Sequence, residues 1–531
     1  MYDAVIIGGG HNGLVCAFYL AAAGLKTIVL ERRDKVGGAA VTEEFHPGFR
    51  NSLAAYTVSL LNPKIISDLD LAGHGLRIVE RKLANFLPLD DGRYLKVGGE
   101  RTKAEVAKFS ARDAHRLEAY AARLEVLADL LRELALETPP NIISAPPLRV
   151  LNEALKTGRL GNRLRRLGLE TQRDLVEIFT ASAGDYLDHW FESAPIKAAF
   201  GFDAIVGTYA SPYAPGTAYV LLHHCFGEVN GRKGQWGHAI GGMGAISEAM
   251  ARAAASRGAE IRVACPVKEV LVEKGRVAGV VTDAGEVFRA RIVAANINPK
   301  LLYRDLVAPD ALPADFRERI GKWRCGSGTF RMNVALSELP DFSALPGREL
   351  AEHHTAGIII APSLGYMEDA YFDARRSGWS KRPIVEMVIA SSLDDTLAPK
   401  GAHVASLFCQ HVAPTLRNGA SWDEHREEVA DLMIASVNAY APNFKASVIA
   451  RQIFSPLDLE RTFGLVGGDI FHGQLDLGQI FAGRPMLGHA DYRAPIPGLY
   501  MCGAGTHPGG GVSGLPGHNA AREILRDARR R

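Results

Sequence analysis

An α/β fold class is predicted by three stretches of the 531-residue sequence. An apolar run at the start breaks into glycines at residue 8, a similar run near the end breaks into glycines at residue 503, and alternating strands fill 259–295 between them. Residues 3–7 (DAVII) are β-branched and apolar, and GGGHNG follows at once. Leu14, Ala17, Phe18 and Ala21 then recur at helical spacing until Gly24 ends the pattern. Thr27 to Leu30 form the next strand, closing on Glu31. This is the length and order of a βαβ unit with a glycine-rich first turn.

From about 101 to 183 the pattern is helical, interrupted at Pro139, Pro140, Pro146 and Pro147. A further helix is expected over 245–257, introduced by GGMG. The stretches EIRVA, VKEVLVE, RVAGVVTD and RIVAA alternate with period two, and Lys274-Gly275 and Ala284-Gly285 supply turns. They predict an antiparallel meander that feeds back to a core strand. At 498–502, GLYMC reads as a last buried strand running into GAGTHPGGGVSGLPGHNAA and a closing helix.

Lys and Arg number 61 against 59 Asp and Glu, so no overall field attracts nucleic acid. Cys16, Cys225, Cys265, Cys325, Cys409 and Cys502 include no C-x-x-C dithiol and no zinc-like spacing, and fit buried thiols in a reducing compartment. The adjacent pairs His223-His224 and His353-His354 diverge too strongly to share a metal, so no metal site is expected. A strand that begins almost at Met1 leaves no room for a signal or transit peptide, and no apolar run reaches the ~20 residues of a membrane helix. A cytoplasmic protein is the expectation. The basic, leucine-rich segment 148–169 leaves peripheral membrane contact open, against the blander reading of a solvated helical cap over the pocket in which Gly158, Gly161 and Gly168 weaken helix continuity.

Gly8, Gly10 and Gly13 fit G-x-G-x-x-G in the context that gives the motif meaning: strand before, helix after, and Glu31 about 20 residues on as a ribose-binding acid. The glycines permit a tight turn and let a pyrophosphate sit on the helix N-terminus, where free N–H groups and the dipole favour an anion. Gly37-Gly38 offers a second close approach. The C-terminal GAGTHPGGGVSG repeats the strand–glycine–helix order, and two such loops suit one extended cofactor, FAD, where a nicotinamide would need only one. Gly242, Gly244 and Ser247 come nearest to another fingerprint, but are read as a helix-start loop facing the substrate. A disulfide reductase is not expected, since Cys16 has no near partner in sequence.

The segments GGGHNGLVCAFYLAAAGLKTIVLERRDKVGGAAVTEEFHPGF and GLYMCGAGTHPGGGVSGLPGHNAA together resemble the phytoene desaturase-like FAD flavoproteins. Within them the chain looks most like the pyridine nucleotide-disulfide oxidoreductase domain-containing protein 2 group. DHWFESAPIKAAFGFDAIVG, AYVLLHH, GGMGAISEAM, SSLDDTLAPKGAHV and DLERTFGLVGGDIFHG carry that likeness along nearly the whole chain. The resemblance implies a Rossmann-like FAD-binding domain of the glutathione-reductase-like and amine-oxidase-like kind, assembled from 1–75, 236–300 and 486–531. An α+β substrate domain with a helical cap would occupy 76–235 and 301–485. It also implies FAD contacts from Gly8, Gly10, Gly13, Glu31, Arg32, Gly38, Ala39, Val267, Gly503, Ala504, Gly511 and Val512.

The expected chemistry is hydride transfer between flavin and an apolar small molecule, with oxygen, a quinone or a nicotinamide as electron acceptor. No acid–base dyad stands out, and His507, inside the flavin-side loop, is a weak catalytic candidate balanced by a loop-stabilising role. Two alternatives stay open. One is a flavin amine oxidase, disfavoured by the missing aromatic pair in the C-terminal loop. The other is a flavin-stabilised partner-binding protein. A homo-oligomer also remains open.

Overall fold

The computed structural model describes residues 1–141, 143 and 147–529; Pro146, expected to break the helical region, lies outside them. Two seven-stranded sheets organise the chain. The first contains β1 (Tyr2–Ile7), β2 (Thr27–Leu30), β3 (Glu260–Arg262), β4 (Val267–Glu273), β5 (Arg276–Thr282), β6 (Val287–Ala295) and β7 (Leu499–Met501). Its order is β3-β2-β1-β6-β5-β4, with β7 also on β6. β1 pairs in parallel with β2 and β6. β6 carries two kinds of neighbour: residues 287–289 pair antiparallel with β5, and 293–295 pair parallel with β7. The strand that closes the meander thus continues into the parallel core.

Burial explains the apolar runs. Ala4 to Ile7 and Thr27 to Leu30 are buried throughout, as expected for parallel strands covered on both faces. One cover is made by α1 (His11–Ala22), α2 (Gly244–Ser256) and α3 (Leu515–Ala528), whose inward residues form one core with β1. α1 and α3 meet closely at Gly517, where a Cβ would fall 2.1 Å from the Asn12 carbonyl oxygen.

The second sheet runs Val448–Phe454, Phe330–Leu336, His403–Val412, Trp379–Val388, Gly357–Ile360, Asn85–Pro88, Tyr94–Val97. It is antiparallel except where Asn85–Pro88 pairs with Gly357–Ile360. Helix Trp422–Tyr440 covers one face, with Val385, Met387 and Leu407. The other face, with Phe408 and Ile384, packs on helices Ala111–Ala135, Ala183–Trp190, Ala194–Gly201 and Thr217–Cys225. Alternation along these strands therefore sends Phe408 and Leu407 to opposite layers.

Two expectations are corrected. Pro147–Arg166 is one continuous helix: Gly158 and Gly161 sit where a Cβ would meet nothing within 4 Å, so they lower propensity without breaking it, whereas Gly168 does mark a break, as N-cap of the next helix, Leu169–Thr180. Helix Pro147–Arg166 is also not a cap over the main cavity. Asn152, Glu153 and Lys156 line a separate groove with Gly488–Tyr500 and Asp527, because Arg163 pairs with Glu133 and Glu137 and holds the helix there. Likewise, the 241–244 loop, expected to face substrate, does not line the main cavity. Met243 N–H donates to Ser52 Oγ at 2.9 Å and Gly244 N–H to Thr42 Oγ1 at 2.9 Å, seating α2 on the 42–52 hairpin. Among the described residues no helix is long and apolar enough to cross a membrane.

Candidate functional site

One cavity runs from the ends of β1 and β2 to the second sheet. At the β1 end the chain leaves Ile7, turns at Gly8 (φ 95°) and enters α1 at Gly10. Gly10 caps α1 without a side-chain hydrogen bond and no acid lies in the first turn, which leaves the N-terminal N–H groups and the positive helix end available to an anion. Gly13 permits the turn: a Cβ there would lie 2.2 Å from the Gly8 carbonyl oxygen, a backbone atom that cannot yield.

Glu31 follows β2, buried. Its Oε2 accepts the Gly9 N–H at 2.6 Å and its Oε1 the Arg33 N–H at 2.9 Å. Both oxygens keep lone pairs for ribose hydroxyls. The Gly37 N–H donates to Gly9 O at 2.9 Å, so the second glycine pair returns to the first turn. Gly511 (φ 109°) and Val512 (φ 58°) enter from the C-terminal loop before α3. A Cβ at Gly511 would meet Leu60 Cδ1 at 2.3 Å, so this loop and the segment after Ala55 close against each other.

The donors suit a dinucleotide. Arg33 Nη1, His11 Nε2 and His472 Nδ1 are buried in this wall without a partner among the described residues. Burial holds His11 and His472 at about 4, so both are neutral imidazoles at pH 7. A cation, neutral donors, a free helix N-terminus and glycine approaches meet what a pyrophosphate and two riboses require.

The far end of the cavity belongs to the second sheet and its helices. Tyr56, Arg81, Asp203, His224 and Glu386 bring polar groups, and Phe202, Val206, Trp236, Phe408, Ile470 and Phe471 apolar ones. Tyr56 O–H donates to Glu386 Oε2, and its ring stacks on Phe408 at 5.5 Å and under the Arg331 guanidinium at 4.4 Å. Burial pushes the Glu386 carboxyl up, opposed by Arg81, the Tyr56 hydrogen bond and Arg331. Asp203 is pushed up to about 8 by burial and then by Glu386, so it is a neutral acid at pH 7. His224 is held at about 4 by burial and gives Nδ1 to the Val220 carbonyl.

Of the residues singled out in the sequence, Gly8, Gly10, Glu31, Arg32, Gly38, Ala39, Val267, Ala504, Gly511 and Val512 line this one cavity. Gly13 and Gly503 stand behind it, against Gly8 and Asn296. Arg32 also donates across to the Thr462 carbonyl at 2.8 Å. His507 faces away: it is buried, its Nε2 lies 3.0 Å from the Leu134 carbonyl, and it is absent from the cavity wall. The sequence reading missed Arg33, Asn296 and His472 on the nucleotide side, and Tyr56, Arg81, Asp203 and Glu386 beyond it. It also missed that Cys16 and Cys502 meet. The two thiols are hydrogen-bonded and free, wholly buried behind the glycine loops and outside the cavity wall. Tyr56, Phe408 and Phe471, none of them in the C-terminal loop, bring aromatic rings to the cavity wall.

A mixed sheet with a parallel core, two glycine loops and a second sheet that walls the same cavity fit an FAD-dependent oxidoreductase. A model of the family of flavin-containing amine oxidoreductases matches residues 13–329, and the chain belongs to that family. It is 42% identical to pyridine nucleotide-disulfide oxidoreductase domain-containing protein 2 of Rattus norvegicus, over 99% of this chain and 94% of that protein. It is 25% identical to a phytoene desaturase (lycopene-forming) of Pseudescherichia vulneris, over 97% of each. An oxidoreductase of Methanosarcina mazei shares the fold with a TM-score of 0.62 at 16% identity, over 99% of this chain and 100% of that one.

Proposed function

We propose that this oxidoreductase is a dehydrogenase of the phytoene dehydrogenase-related kind, with FAD lying along the cavity and substrate against the second sheet. One observation carries the reading: the glycine cradle and the Phe202–Phe408–Phe471 wall belong to a single cavity, so a dinucleotide held at Glu31 extends toward side chains from 76–235 and 301–485. That supports assigning 1–75, 236–300 and 486–531 to cofactor binding and the remainder to substrate binding.

In this reading Glu31 holds the adenosine ribose, while Gly8, Gly10, Gly38, Ala39, Gly511 and Val512 give close backbone approach, backed by Gly13 and Gly503. Arg32, Val267 and Ala504 complete the contacts. FAD supplies the hydride acceptor when bound. The chain's own part is to orient the substrate's apolar body against Phe202, Val206, Phe408 and Ile470 and to exclude water. The likeness to a phytoene desaturase supports carbon–carbon dehydrogenation over amine oxidation. The absorbance spectrum of the purified protein, with identification of the released chromophore, tests the cofactor. Anaerobic bleaching on addition of a candidate substrate tests the chemistry. A colourless protein that takes up no FAD overturns the reading.

A further inference from the structure

We propose that Arg81 is a carboxylate-binding residue, and that the substrate is an acid: an apolar chain or ring system ending in a carboxylate. This deepens, and rests on, the reading of the cavity as a flavin and substrate site.

Arg81 directly follows the short strand Ile78–Glu80, and its backbone N–H is fixed to the Trp236 carbonyl at 3.0 Å. The side chain lines the cavity at only 2% exposure. Its Nη2 donates to Thr57 Oγ1 at 2.6 Å, Nε is buried without a partner, and no carboxylate pairs with it among the described residues. Arg331 also leaves its Nε without a partner among the described residues, but neither it nor Arg484 lines the cavity. Arg484 spends its guanidinium on the carbonyls of Phe471, Gly473, Gln479 and Ala504. Arg331 spends its terminal nitrogens on Leu407 O and Ser406 Oγ. A buried guanidinium left with open donors on a cavity wall matches a planar oxyanion, which it can receive through two parallel hydrogen bonds.

Two acids lie near this charge. Glu386 accepts the Tyr56 O–H, and Arg81 is the first of the groups that oppose the rise burial gives its carboxyl. Asp203 makes no hydrogen bond or ion pair among the described residues, and at pH 7 it carries its proton, so it can donate to an anion. The fixed charge here is therefore Arg81 and Arg331 against Glu386 at most, which disfavours an ammonium group.

The test uses the FAD-loaded protein and three probes of equal chain length: decanoate, 1-decanol and decylamine, titrated against the flavin absorbance and by calorimetry. Decanoate is expected to bind at least tenfold more tightly than either analogue. Arg81→Gln is expected to abolish that preference with FAD content and thermal midpoint unchanged, and Arg81→Lys to keep part of it. Equal or tighter binding of decylamine or decanol, no binding of any probe to flavin-loaded protein, or a preference that survives Arg81→Gln overturns the proposal. Should Arg81→Gln fail to fold, the ranking of the probes by the unaltered protein and by Arg81→Lys decides. Loss of FAD binding itself would instead strike the parent reading.

Discussion

Glu31 Oε2 accepts the Gly9 N–H at 2.6 Å, so the acid that ends β2 and the glycine turn that ends β1 form one hydrogen-bonded unit. Glu31 shapes the turn, and in the proposed site its remaining lone pairs receive a ribose. Glu31→Ala is therefore expected to weaken FAD binding by about 1.5–3 kcal/mol, roughly ten- to a hundredfold. Glu31→Gln, which keeps an acceptor for one of the two N–H groups, should lose less. Fluorescence titration of apoprotein with FAD checks both, and unchanged affinity in Glu31→Ala would remove this residue from the site.

The three glycines of the first turn are not equivalent. At Gly13 a Cβ would sit 2.2 Å from a backbone oxygen, while at Gly10 it would sit 2.9 Å from the Asn296 side-chain amide, which can rotate away. Gly13→Ala is expected to lower both flavin occupancy and thermal midpoint. Gly10→Ala should leave the midpoint closer to wild type and lose flavin chiefly through the altered approach to the pyrophosphate. Occupancy from the ratio of flavin to protein absorbance, with a melting curve for each variant, separates the two. An apoprotein midpoint lowered more by Gly10→Ala than by Gly13→Ala would contradict this ordering.

The nucleotide half of the molecule was legible because its chemistry is local. The turn, the helix start and Glu31 fall within one βαβ unit, and each needs a particular residue type at a fixed spacing: glycine at positive φ at residue 8, glycine against backbone at residue 13, an acid at the strand end. The opposite wall was not legible. Arg81, Asp203 and Glu386 come from three distant segments, each surrounded by ordinary charged or apolar sequence, and only the second sheet brings them to one cavity. The Cys16–Cys502 contact was hidden for the same reason, being made by the packing of the first helix on the last strand. His507 illustrates the converse. It lies in the right loop, yet its ring is taken up by the Leu134 carbonyl of a helix far away in sequence.

Asp203 gives a pH dependence whose sign is fixed. Its carboxyl is raised to about 8 by burial and by Glu386, against about 4 in an unfolded chain. Between these values the unfolded state has released the proton and the folded state still holds it, so stability falls as pH rises through this window. Asp203→Asn removes that loss. The variant is expected to gain stability over wild type progressively from pH 5 to pH 8 and to differ little from it near pH 4. Thermal unfolding of both FAD-loaded proteins across that range checks it. A difference that stays flat with pH would mean that Asp203 is ionised in the folded protein.

Arg484 joins the loop around Phe471 to the C-terminal glycine loop, both of which line the cavity. It is fully buried, and it gives Nε and Nη2 to the Ala504 carbonyl at 3.0 and 2.8 Å, Nη2 also to Phe471 O at 2.6 Å, and Nη1 to Gln479 O at 2.9 Å. Ala504 opens the C-terminal glycine loop, and Phe471 lies against Gly510 of that loop, where a Cβ would be 2.0 Å from its ring. Asp469 completes the junction by accepting the Phe471 and Gly473 N–H groups at 2.9 and 3.0 Å. Arg484→Met removes every donor at once and strands several buried carbonyls, so a loss of about 3 kcal/mol or more is expected. Lysine, with one nitrogen in place of a planar fork, should recover only part of it. Because the carbonyls belong to the flavin-side loop, the loss should appear in FAD affinity as well as in chemical denaturation. A variant that is destabilised but binds FAD as tightly as wild type would show that the loop holds its shape without this guanidinium.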